Sequence, residues 1–384
     1  MNASVSAPGS TIGILGGGQL GRMTALAGRH LGYRFQVLTP ETDSPAGAVA
    51  DIALTAPFND TAALSNFAKN VACATFEFEN IPATAIEQLE RETRVYPGSS
   101  VLRTCQNRLL EKNFLKNAGF PCTPFAPVDS PETLKQAINT LGVPCVLKSA
   151  QGGYDGKGQR RLSAHPTNYA QEWQSLGAES AVLEQWIDFE KECSVVCARN
   201  VYGQSIAFPV AENQHQNHIL HTSIVPARLS PNLLKDAADL ALAIAESLNL
   251  IGLLAVEFFI TRDGKLLVNE LAPRPHNSGH YSLDACLTNQ FEQHVRAICG
   301  LPLGAPDLLC PVVMVNLLGD LWVHGHPPDW NLLLKDPTVK LHLYGKKTAK
   351  PGRKMGHFCL LNNKVEDALE ISKKHLIYIK NSCN

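Results

Sequence analysis

Apolar and polar positions alternate in a way that divides the chain into short strands and amphipathic helices. The segment TIGILGGGQLGRMTALAGRHLGYRFQVLT predicts a strand, a glycine turn, a helix and a second strand. The apolar face predicted for this helix carries Met23, Leu26, Ala27 and Leu31. CATFEFENIP predicts another short strand near 72–78. Residues 1 to about 100 are therefore expected to form a parallel, doubly wound α/β unit.

From Asn107 onward, strands and helices are predicted in blocks. NRLLEKNFLKNAG predicts a helix ended by glycine, PCVLKS predicts a strand, and QGGYDGKGQRR predicts a glycine-rich loop. Further strands are predicted in SAVLEQWI, ECSVVCAR and AFPVAEN, followed by a long helix from about 231 to 248. Two apolar strands, LLAVEFFI and LLVNELA, are joined by the turn TRDGK. This order favours an α+β region.

The composition shifts again after the predicted helix NQFEQHVRAIC. From about residue 308 the chain contains VVMVNLLG, a proline-rich bend HGHPPDW, a basic loop YGKKTAKPGRKMGH and a last helix VEDALEISKKHLIYI. A length of 384 residues is too great for one ordinary domain. We therefore predict a small third domain at the C-terminal end.

The overall composition narrows the classes of function. With 45% hydrophobic and 18% charged residues, the chain has ample material for buried cores. A formal net charge of −1 offers no global attraction to nucleic acid or to an anionic membrane. Apolar runs fall short of the ~20 residues that cross a bilayer, and the first ten residues lack the blocks of a secretion signal. We expect a cytoplasmic protein with neither nucleic acid nor membrane as partner.

The 11 cysteines do not have the spacing of a metal site. The sequence contains no C-x-x-C, and the closest pair, Cys193 and Cys197, lies in a predicted strand. Without a secretion signal, reduced and mostly buried thiols are the favoured interpretation over metal ligation.

The first glycine turn contains Gly16, Gly18 and Gly21, which satisfy G-x-G-x-x-G between a predicted strand and a predicted helix. Such glycines let a ligand approach backbone N–H groups at the positive end of a helix. Glu41 lies about as far downstream as the ribose contact of a dinucleotide site. Three interpretations stay open: a dinucleotide site, a site for another anionic ligand, and a turn that only permits tight packing.

The second glycine loop carries more chemistry. It consists of Gly152, Gly153, Tyr154, Asp155, Gly156, Lys157 and Gly158. It is not a Walker A loop, because only three residues separate Gly152 from Gly156 and Gly158 stands where Ser or Thr would hold magnesium. A flexible glycine hairpin with a lysine can still close over phosphates, and Lys148 at the end of the preceding strand adds a cation. The alternative is a solvated surface hairpin.

Two further features contain candidate ligands. Glu257 and Glu270 each lie within an apolar strand on either side of a short turn, and two such carboxylates suit magnesium. The alternative is a pair of outward-facing polar residues. The loop PRPHNSGH contains Arg274, His276, Asn277, Ser278 and His280 and predicts an anion pocket. The local sequence leaves open whether Lys346, Arg353 and Lys354 form only a solvated basic loop.

Six motifs occur in order, with compatible spacing, between about residues 11 and 360: GGGQLGRM, EFENIP, GGYDGKGQ, EQWIDFEKECSVV, NELAPRPHNSGH and PGRKMGH. Together they resemble the 5-(carboxyamino)imidazole ribonucleotide synthase family of ATP-grasp enzymes in purine biosynthesis. The resemblance implies an N-terminal Rossmann-like (pre-ATP-grasp) domain, a central ATP-grasp domain and a small C-terminal domain. We place these domains at 1–107, 108–305 (with a lid at about 120–190) and 306–384.

The resemblance also implies site residues. Expected ATP contacts are Arg108, Lys148, Gly153, Tyr154, Asp155, Gly156, Lys157, Gly158, Glu184, Gln185, Trp186, Ile187, Glu192, His215, Asn269 and Glu270. Expected contacts to aminoimidazole ribonucleotide are Gln19, Leu20, the stretch from Glu77 to Asn80, and Tyr154, Asp155, Arg274, His276, Lys346 and Arg353. Expected magnesium ligands are Glu257 and Glu270. Expected catalytic residues are Lys148, Asp155 and Arg274.

Several roles follow from the same resemblance. Glu184 to Ile187 would meet adenine, and Glu192 would hold the ribose hydroxyls, with Glu190 as a competing assignment. Asp155 would orient or deprotonate the amine. The sequence departs from the family pattern after Lys148, where Ser149, Ala150 and Gln151 replace residues that are often basic.

The reaction implied is an ATP-dependent carboxylation of aminoimidazole ribonucleotide by bicarbonate, carried out by a homodimer with ATP and Mg²⁺. Within the same class, alternatives are the formate-using glycinamide ribonucleotide transformylase and a biotin-dependent carboxylase subunit. Alternatives from other classes are a dinucleotide-linked oxidoreductase and a non-catalytic nucleotide sensor.

Overall fold

A computed structural model describes residues 5–153 and 156–381 of the chain. Tyr154 and Asp155, two of the predicted site residues, lie outside the described residues. The described chain contains three β-sheets with helices packed against them. The following bounds define its elements.

The N-terminal sheet confirms the predicted parallel α/β unit. Its strands are β1 (Thr11–Leu15), β2 (Arg34–Thr39), β3 (Ile52–Thr55) and β4 (Cys73–Phe76). All pair in parallel in the order β3-β2-β1-β4. The helices of this region are α1 (Gln19–His30), α2 (Thr61–Lys69), α3 (Ala83–Glu90) and α4 (Ser99–Gln106).

The apolar face predicted for α1 is partly wrong. Leu26 is 40% exposed, and the helix instead buries Leu20, Met23 and Ala25. The reason lies in Gly28: a Cβ added there would be 2.3 Å from the Phe35 ring. The face of the helix that carries Gly28 therefore lies very close to the sheet. A pattern of large apolar residues does not reveal such a face, because glycine has no side chain.

The second sheet forms a separate layer over the middle of the chain. It follows helix α5 (Arg108–Asn117) and contains β5 (Phe125–Val128), β6 (Cys145–Ser149), β7 (Gln159–Leu162) and β8 (Ala181–Gln185). These strands pair antiparallel in the order β5-β8-β6-β7. Its helices are α6 (Pro131–Leu141) and α7 (Tyr169–Leu176). The layer has its own hydrophobic core, and it includes most of the region predicted as a lid.

The third sheet has nine strands and spans the rest of the chain. These are β9 (Phe189–Arg199), β10 (Ser205–Ala207), β11 (Ala211–Gln216), β12 (Ile219–Val225), β13 (Gly252–Thr261), β14 (Leu266–Ala272), β15 (Val312–Leu318), β16 (Val339–Leu343) and β17 (Lys354–Leu361). Its order is β14-β13-β9-β11-β12-β15-β17-β16, with β10 on β9. The accompanying helices are α8 (Pro231–Ser247), α9 (Ser282–Ala285), α10 (Gln290–Cys299), α11 (Asn331–Leu334) and α12 (Val365–Asn381).

The pairing of β12 with β15 joins the C-terminal strands to the central region. The sequence shift near residue 308 therefore does not interrupt the sheet, and the basic loop between β16 and β17 is attached to the same layer as Glu257 and Glu270. This continuity brings residues from the end of the chain toward the predicted site.

The cysteines described by the structure are free thiols, and most of them are buried. Cys193 and Cys197 lie on β9 in the hydrophobic core, as predicted from their spacing. Among the described residues, no helix combines the length and the apolar character that a bilayer crossing requires.

His294 on α10 joins the first sheet to the helices behind it. Its Nε2 lies 2.8 Å from Thr75 Oγ1 on β4, and its side chain is fully buried. Burial lowers the pKa of His294 to about 3. The folded protein therefore holds this imidazole neutral at pH values where an unfolded chain would protonate it.

We expect His294→Gln to reduce the acid sensitivity of folding. Between pH 6.5 and 3 the unfolded chain binds a proton at His294 and the folded chain does not, so stability falls as the pH falls. From pH 7 to pH 5, the variant should lose about 2 kcal/mol less free energy of unfolding than the wild type. Urea unfolding at the two pH values measures this difference, and equal losses would contradict the prediction.

Candidate active site

The first glycine turn is filled by a carboxylate of the protein itself. Glu77, just after β4, accepts hydrogen bonds from the backbone N–H groups of Gly18 and Gly21, the latter over 2.9 Å. A Cβ added at Gly18 would lie 2.5 Å from Glu77 Oε1. Burial raises the pKa of Glu77, and the two N–H groups oppose that rise. Because these donors are taken, the pyrophosphate of a dinucleotide would have to displace Glu77 from the start of α1.

Arg274 and Glu79 form a two-pronged ion pair across the interface of the first and third sheets. Arg274 Nη2 donates to Glu79 Oε1 over 2.9 Å, and its Nε donates to Oε2. Although burial favours the protonated acid, Arg274 outweighs it and lowers the pKa of Glu79. The fold thus brings together the 77–80 stretch and Arg274, two parts of the chain for which the resemblance implies contacts to the ribonucleotide. Asn80 is exposed beside them.

The basic loop between β16 and β17 is structured and partly buried. Lys346 Nζ donates to the carbonyl of Lys354 over 2.7 Å, and Arg353 Nη1 donates to that of Thr348 over 2.7 Å. Burial, and then the charge of Arg353, lower the pKa of Lys346 to about 8, while Glu77 opposes this change. The loop is therefore more than a solvated basic segment: it directs a lysine toward Glu77.

The start of α1 contacts the base of the same loop. Gln19 is the first residue of the helix, and Leu20 packs with Met23 and Phe291 against Tyr344. Because the Leu20 side chain is buried, a substrate contact at this position would come from its backbone.

Arg108 is the cation that contacts the second glycine loop. Its Nη2 donates to the carbonyl of Gly153 over 2.9 Å, and its Nη1 donates to that of Ser149 over 3.3 Å. Nη2 also lies 3.9 Å from Glu270 Oε2. The guanidinium therefore occupies the region next to Ser149, Ala150 and Gln151, where the family often has basic residues.

Lys148, at the end of β6, pairs with a buried carboxylate on the neighbouring strand. Its Nζ lies 2.9 Å from Glu184 Oε2, and the buried Lys112 lies 3.8 Å from the other oxygen. Although burial favours the protonated acid, the two lysines lower the pKa of Glu184. The physical reason is that a buried carboxylate requires a countercharge, which Lys148 helps to supply.

The end of β8 provides an open surface next to this ion pair. Gln185 and Trp186 are exposed there, Ile187 follows, and the Arg161 guanidinium lies 3.9 Å above the Trp186 ring. A planar base against this segment would have an aromatic edge and backbone groups within reach. This is the segment for which an adenine contact was predicted.

Glu257 and Glu270 face each other on β13 and β14. Their Cα atoms are direct partners in the ladder, so both carboxylates lie on one side of the sheet. Burial, and then the charge of Glu270, raise the pKa of Glu257. Two facing carboxylates that repel each other fit a divalent cation. The described residues contain no group of three or more His, Cys, Asp or Glu that could hold a metal, so phosphate and water oxygens would complete the coordination.

Two histidines border this carboxylate pair. His215 Nδ1 lies 2.9 Å from Glu192 Oε2, and His276 Nε2 lies 3.3 Å from Glu257 Oε1. Although burial opposes it, Glu192 raises the pKa of His215. The competing Glu190 is exposed to solvent, whereas Glu192 faces His215.

Some of the predicted residues line a narrow cleft. Its walls include Glu79, Asn80, Arg108, Gly153 and Glu270. A more open cavity of about 410 Å³ lies elsewhere, beside Asn316, Leu318 and Leu376. Among the described residues, none of the predicted site residues lines that cavity.

Three family models match consecutive parts of the chain. They describe a ribonucleotide synthetase preATP-grasp domain (residues 10–106), an ATP-grasp domain (113–291) and a phosphoribosylaminoimidazole carboxylase C-terminal domain (312–371). N5-carboxyaminoimidazole ribonucleotide synthase of Bacillus subtilis is 46% identical over 379 residues, covering 97% of both chains. The protein of the same name from Brucella melitensis is 43% identical, covering 91% of this chain and 96% of its own.

The chain belongs to the N5-carboxyaminoimidazole ribonucleotide synthase family. Solved structures agree with this assignment. The synthetase from Staphylococcus aureus complexed with ADP has a TM-score of 0.91 at 38% identity, covering 97% of this chain and 99% of its own. The Aspergillus clavatus synthase in complex with ADP and 5-aminoimidazole ribonucleotide has a TM-score of 0.87 at 29% identity, covering 97% and 99%.

Membership of the family confirms the ATP-grasp architecture and makes the chain a ligase that uses ATP. The alternative of a dinucleotide-linked oxidoreductase is wrong, in agreement with Glu77 filling the first glycine turn. The other ATP-grasp alternatives lose their support, because relatives that match nearly the whole chain are named N5-carboxyaminoimidazole ribonucleotide synthase.

Sequence reasoning missed Lys112, which connects several parts of the cleft. Its Nζ donates to the carbonyl of Asn269 over 2.8 Å and forms an ion pair with Glu184. A signal for it was present: Arg108 and Lys112 are four residues apart on α5 and therefore share one face of that helix.

Proposed function

We propose that this protein joins bicarbonate to 5-aminoimidazole ribonucleotide with the consumption of ATP, releasing 5-(carboxyamino)imidazole ribonucleotide, ADP and phosphate in de novo purine biosynthesis. The observation that carries the assignment of roles is a cleft lined by both Glu79, the partner of Arg274, and Glu270, the partner of Glu257. One pair suits a polar ring substrate, and the other suits a metal-bound triphosphate.

The ATP site would lie between the lid sheet and the third sheet. Trp186 and its neighbours on the strand end would meet adenine, and Glu192 would accept hydrogen bonds from the ribose hydroxyls. Arg108, Lys148 and the glycine loop would surround the phosphates. Binding of the triphosphate would draw Lys148 toward it, and Lys112 would remain to compensate Glu184.

Magnesium fits the carboxylate pair, because a divalent cation relieves the repulsion between the two facing carboxylates. Glu257 and Glu270 would hold the ion, which would supply charge stabilisation to the phosphates. Arg108, close to Glu270, would add a second positive charge on the loop side.

The ribonucleotide would occupy the side of the cleft near the first sheet. Lys346 and Arg353 suit its phosphate, and Glu77 suits ribose hydroxyls because its carboxylate is fixed by two backbone donors. Arg274 and His276 would lie against the ring, together with Asn80, Tyr154 and Asp155.

The chemistry would proceed in two transfers. A bicarbonate oxygen attacks the γ-phosphorus, and the bond between the γ-phosphorus and the β-phosphate oxygen breaks. The products of this step are carboxyphosphate and ADP. The exocyclic amine then bonds to the carboxyl carbon, phosphate leaves, and the amine gives up a proton. Asp155 is our candidate for orienting or deprotonating that amine. Closure of the 152–158 loop would keep water away from carboxyphosphate.

Phosphate release tests the function directly. We expect release to require ATP, bicarbonate and aminoimidazole ribonucleotide together, with the carboxylated ribonucleotide formed in equal amount. A nucleotide sensor would bind ATP without release. Thermal unfolding provides an independent test, because magnesium-ATP should raise the melting temperature and NADH should not. An equal rate of phosphate release with and without the ribonucleotide would contradict the proposal.

Two further properties are part of the proposal. We expect a homodimer, as the resemblance implies, and light scattering measures its mass. We also expect the protein to act in the cytoplasm, where its nucleotide substrates occur, and cell fractionation tests this location.

A further inference from the structure

A chain of buried polar side chains runs beneath the candidate active site and ends at His276. It begins at Ser223 on β12 and continues through Asn213 on β11 and Ser194 on β9 to Ser278, two residues after His276. All four residues are buried, with an exposed fraction of 5% or less. Each is hydrogen-bonded to the next, so the buried network is satisfied.

The hydrogen atoms in this network can be assigned one by one. Ser223 Oγ donates to Asn213 Oδ1 over 2.9 Å, and Asn213 Nδ2 donates to Ser194 Oγ over 2.9 Å. Ser194 Oγ then donates to Ser278 Oγ over 2.7 Å. Because a serine hydroxyl carries one hydrogen, Ser278 keeps its own hydrogen for His276 Nδ1, which is 2.8 Å away.

The backbone N–H of Ser278 shows in which direction the hydrogen bonds of this network run. If the oxygen and nitrogen of the Asn213 amide were exchanged, each serine hydroxyl would donate in the opposite direction along the network. His276 Nδ1 would then have to donate a hydrogen bond to Ser278. However, the backbone N–H of Ser278 also donates to Nδ1, over 3.3 Å, and an amide N–H cannot accept. Nδ1 is therefore the acceptor, and the single ring proton of a neutral His276 is on Nε2.

The backbone of His276 is held as firmly as its ring. Gln290 on α10 accepts from the His276 N–H over 2.9 Å and donates to the His276 carbonyl over 2.8 Å. With both parts of the residue held, Nε2 is left facing the reacting side, 3.3 Å from Glu257 Oε1.

We propose that Ser278 is a positioning residue that holds His276 in the tautomer with its proton on Nε2. His276 then offers a hydrogen-bond donor to the reacting centre and is not the base that removes the proton of the amine. Ser194 and Asn213 act behind Ser278 by keeping its hydroxyl pointed at the ring. This inference rests on the proposed function, which places the reacting centre beside Glu257 and Arg274.

The tautomer can be observed without an activity assay. In full-length protein with ¹⁵N-labelled histidine, protonated and unprotonated ring nitrogens have well separated chemical shifts, and the signals missing from His276→Gln identify those of His276. We expect Nδ1 of His276 to be the unprotonated nitrogen at neutral pH. A proton on Nδ1 would overturn the inference, even if the carboxylation assay succeeded. Conversely, failure of that assay would leave the tautomer measurement valid.

Ser278→Ala tests the positioning role by kinetics. Loss of one neutral hydrogen bond should lower kcat about 3- to 10-fold while KM for ATP is unchanged, because the ATP phosphates do not contact this serine. The labelled variant should also show a shifted Nδ1 signal of His276, because this nitrogen loses one of its two hydrogen-bond donors and keeps the backbone N–H of residue 278. Ser372→Ala, which removes an equally buried hydroxyl on α12, is the matched control and should keep wild-type kcat.

Ser194→Ala provides a second variant if Ser278→Ala does not fold. It leaves both donors to Nδ1 in place and removes only the hydroxyl that orients Ser278. A smaller decrease in kcat in the same direction supports the inference. A wild-type kcat and an unchanged histidine spectrum in whichever variant folds would contradict it.

Discussion

Replacing Glu257 with glutamine should reduce ATP-dependent turnover about a thousandfold. The substitution removes one of two facing carboxylates on β13 and β14 while keeping the size of the side chain. Without that charge a divalent ion would be held by one protein ligand, and the phosphates would lose their charge compensation in the transition state. Initial rates of phosphate release, measured over a range of Mg²⁺ concentrations, check the expected loss.

The folded state should tolerate this change. Burial, and then the like charge of Glu270, raise the pKa of Glu257, so a neutral glutamine is tolerated there and the melting temperature should not fall. Glu246→Gln, on the exposed side of α8, is the matched control and should keep wild-type rates. If Glu257→Gln retained turnover within tenfold of the wild type, the magnesium assignment would be wrong.

Two lysines that share Glu184 should affect different properties of the protein when each is replaced by methionine. Lys112 is fully buried and also bonds the carbonyl of Asn269, so Lys112→Met should lower the free energy of unfolding by about 3–5 kcal/mol. Lys148 is partly exposed in the cleft, so Lys148→Met should mainly lower kcat/KM for ATP, by about 100-fold or more.

Urea unfolding and ATP kinetics on both variants separate these roles. Each variant serves as the control for the other, because both remove one positive charge from the same carboxylate. The assignment of Lys148 to the phosphates fails if Lys148→Met unfolds as easily as Lys112→Met and still has a wild-type kcat/KM for ATP.

Most strands and helices could be predicted from the sequence, because their apolar periods are regular and glycine or proline marks their ends. The helix α1 shows where this reasoning is insufficient. Its contact face depends on how closely Gly28 approaches Phe35, and that distance is a property of the packed sheet. Leu26, predicted as buried, is therefore exposed.

The candidate site divides in the same way. The sequence alone identified Glu257 and Glu270 as a pair, because two carboxylates in neighbouring apolar strands are costly unless a cation compensates them. It also identified the glycine loop, and with the resemblance it supplied the list of residues at the cleft. Their partners were not predictable, because Glu79 and Arg274 are separated by 195 positions along the chain.

The amino-acid sequence by itself determined the family, the order of elements and the residue types available for phosphate, metal and ribonucleotide. Only the tertiary structure decided which charges compensate each other: Glu77 caps α1, Lys148 pairs with Glu184, and Arg108 contacts the loop. The physical reason is that electrostatic and hydrogen-bond energies depend on distances of a few ångströms between side chains remote in sequence. Those distances exist only once the three sheets have packed together.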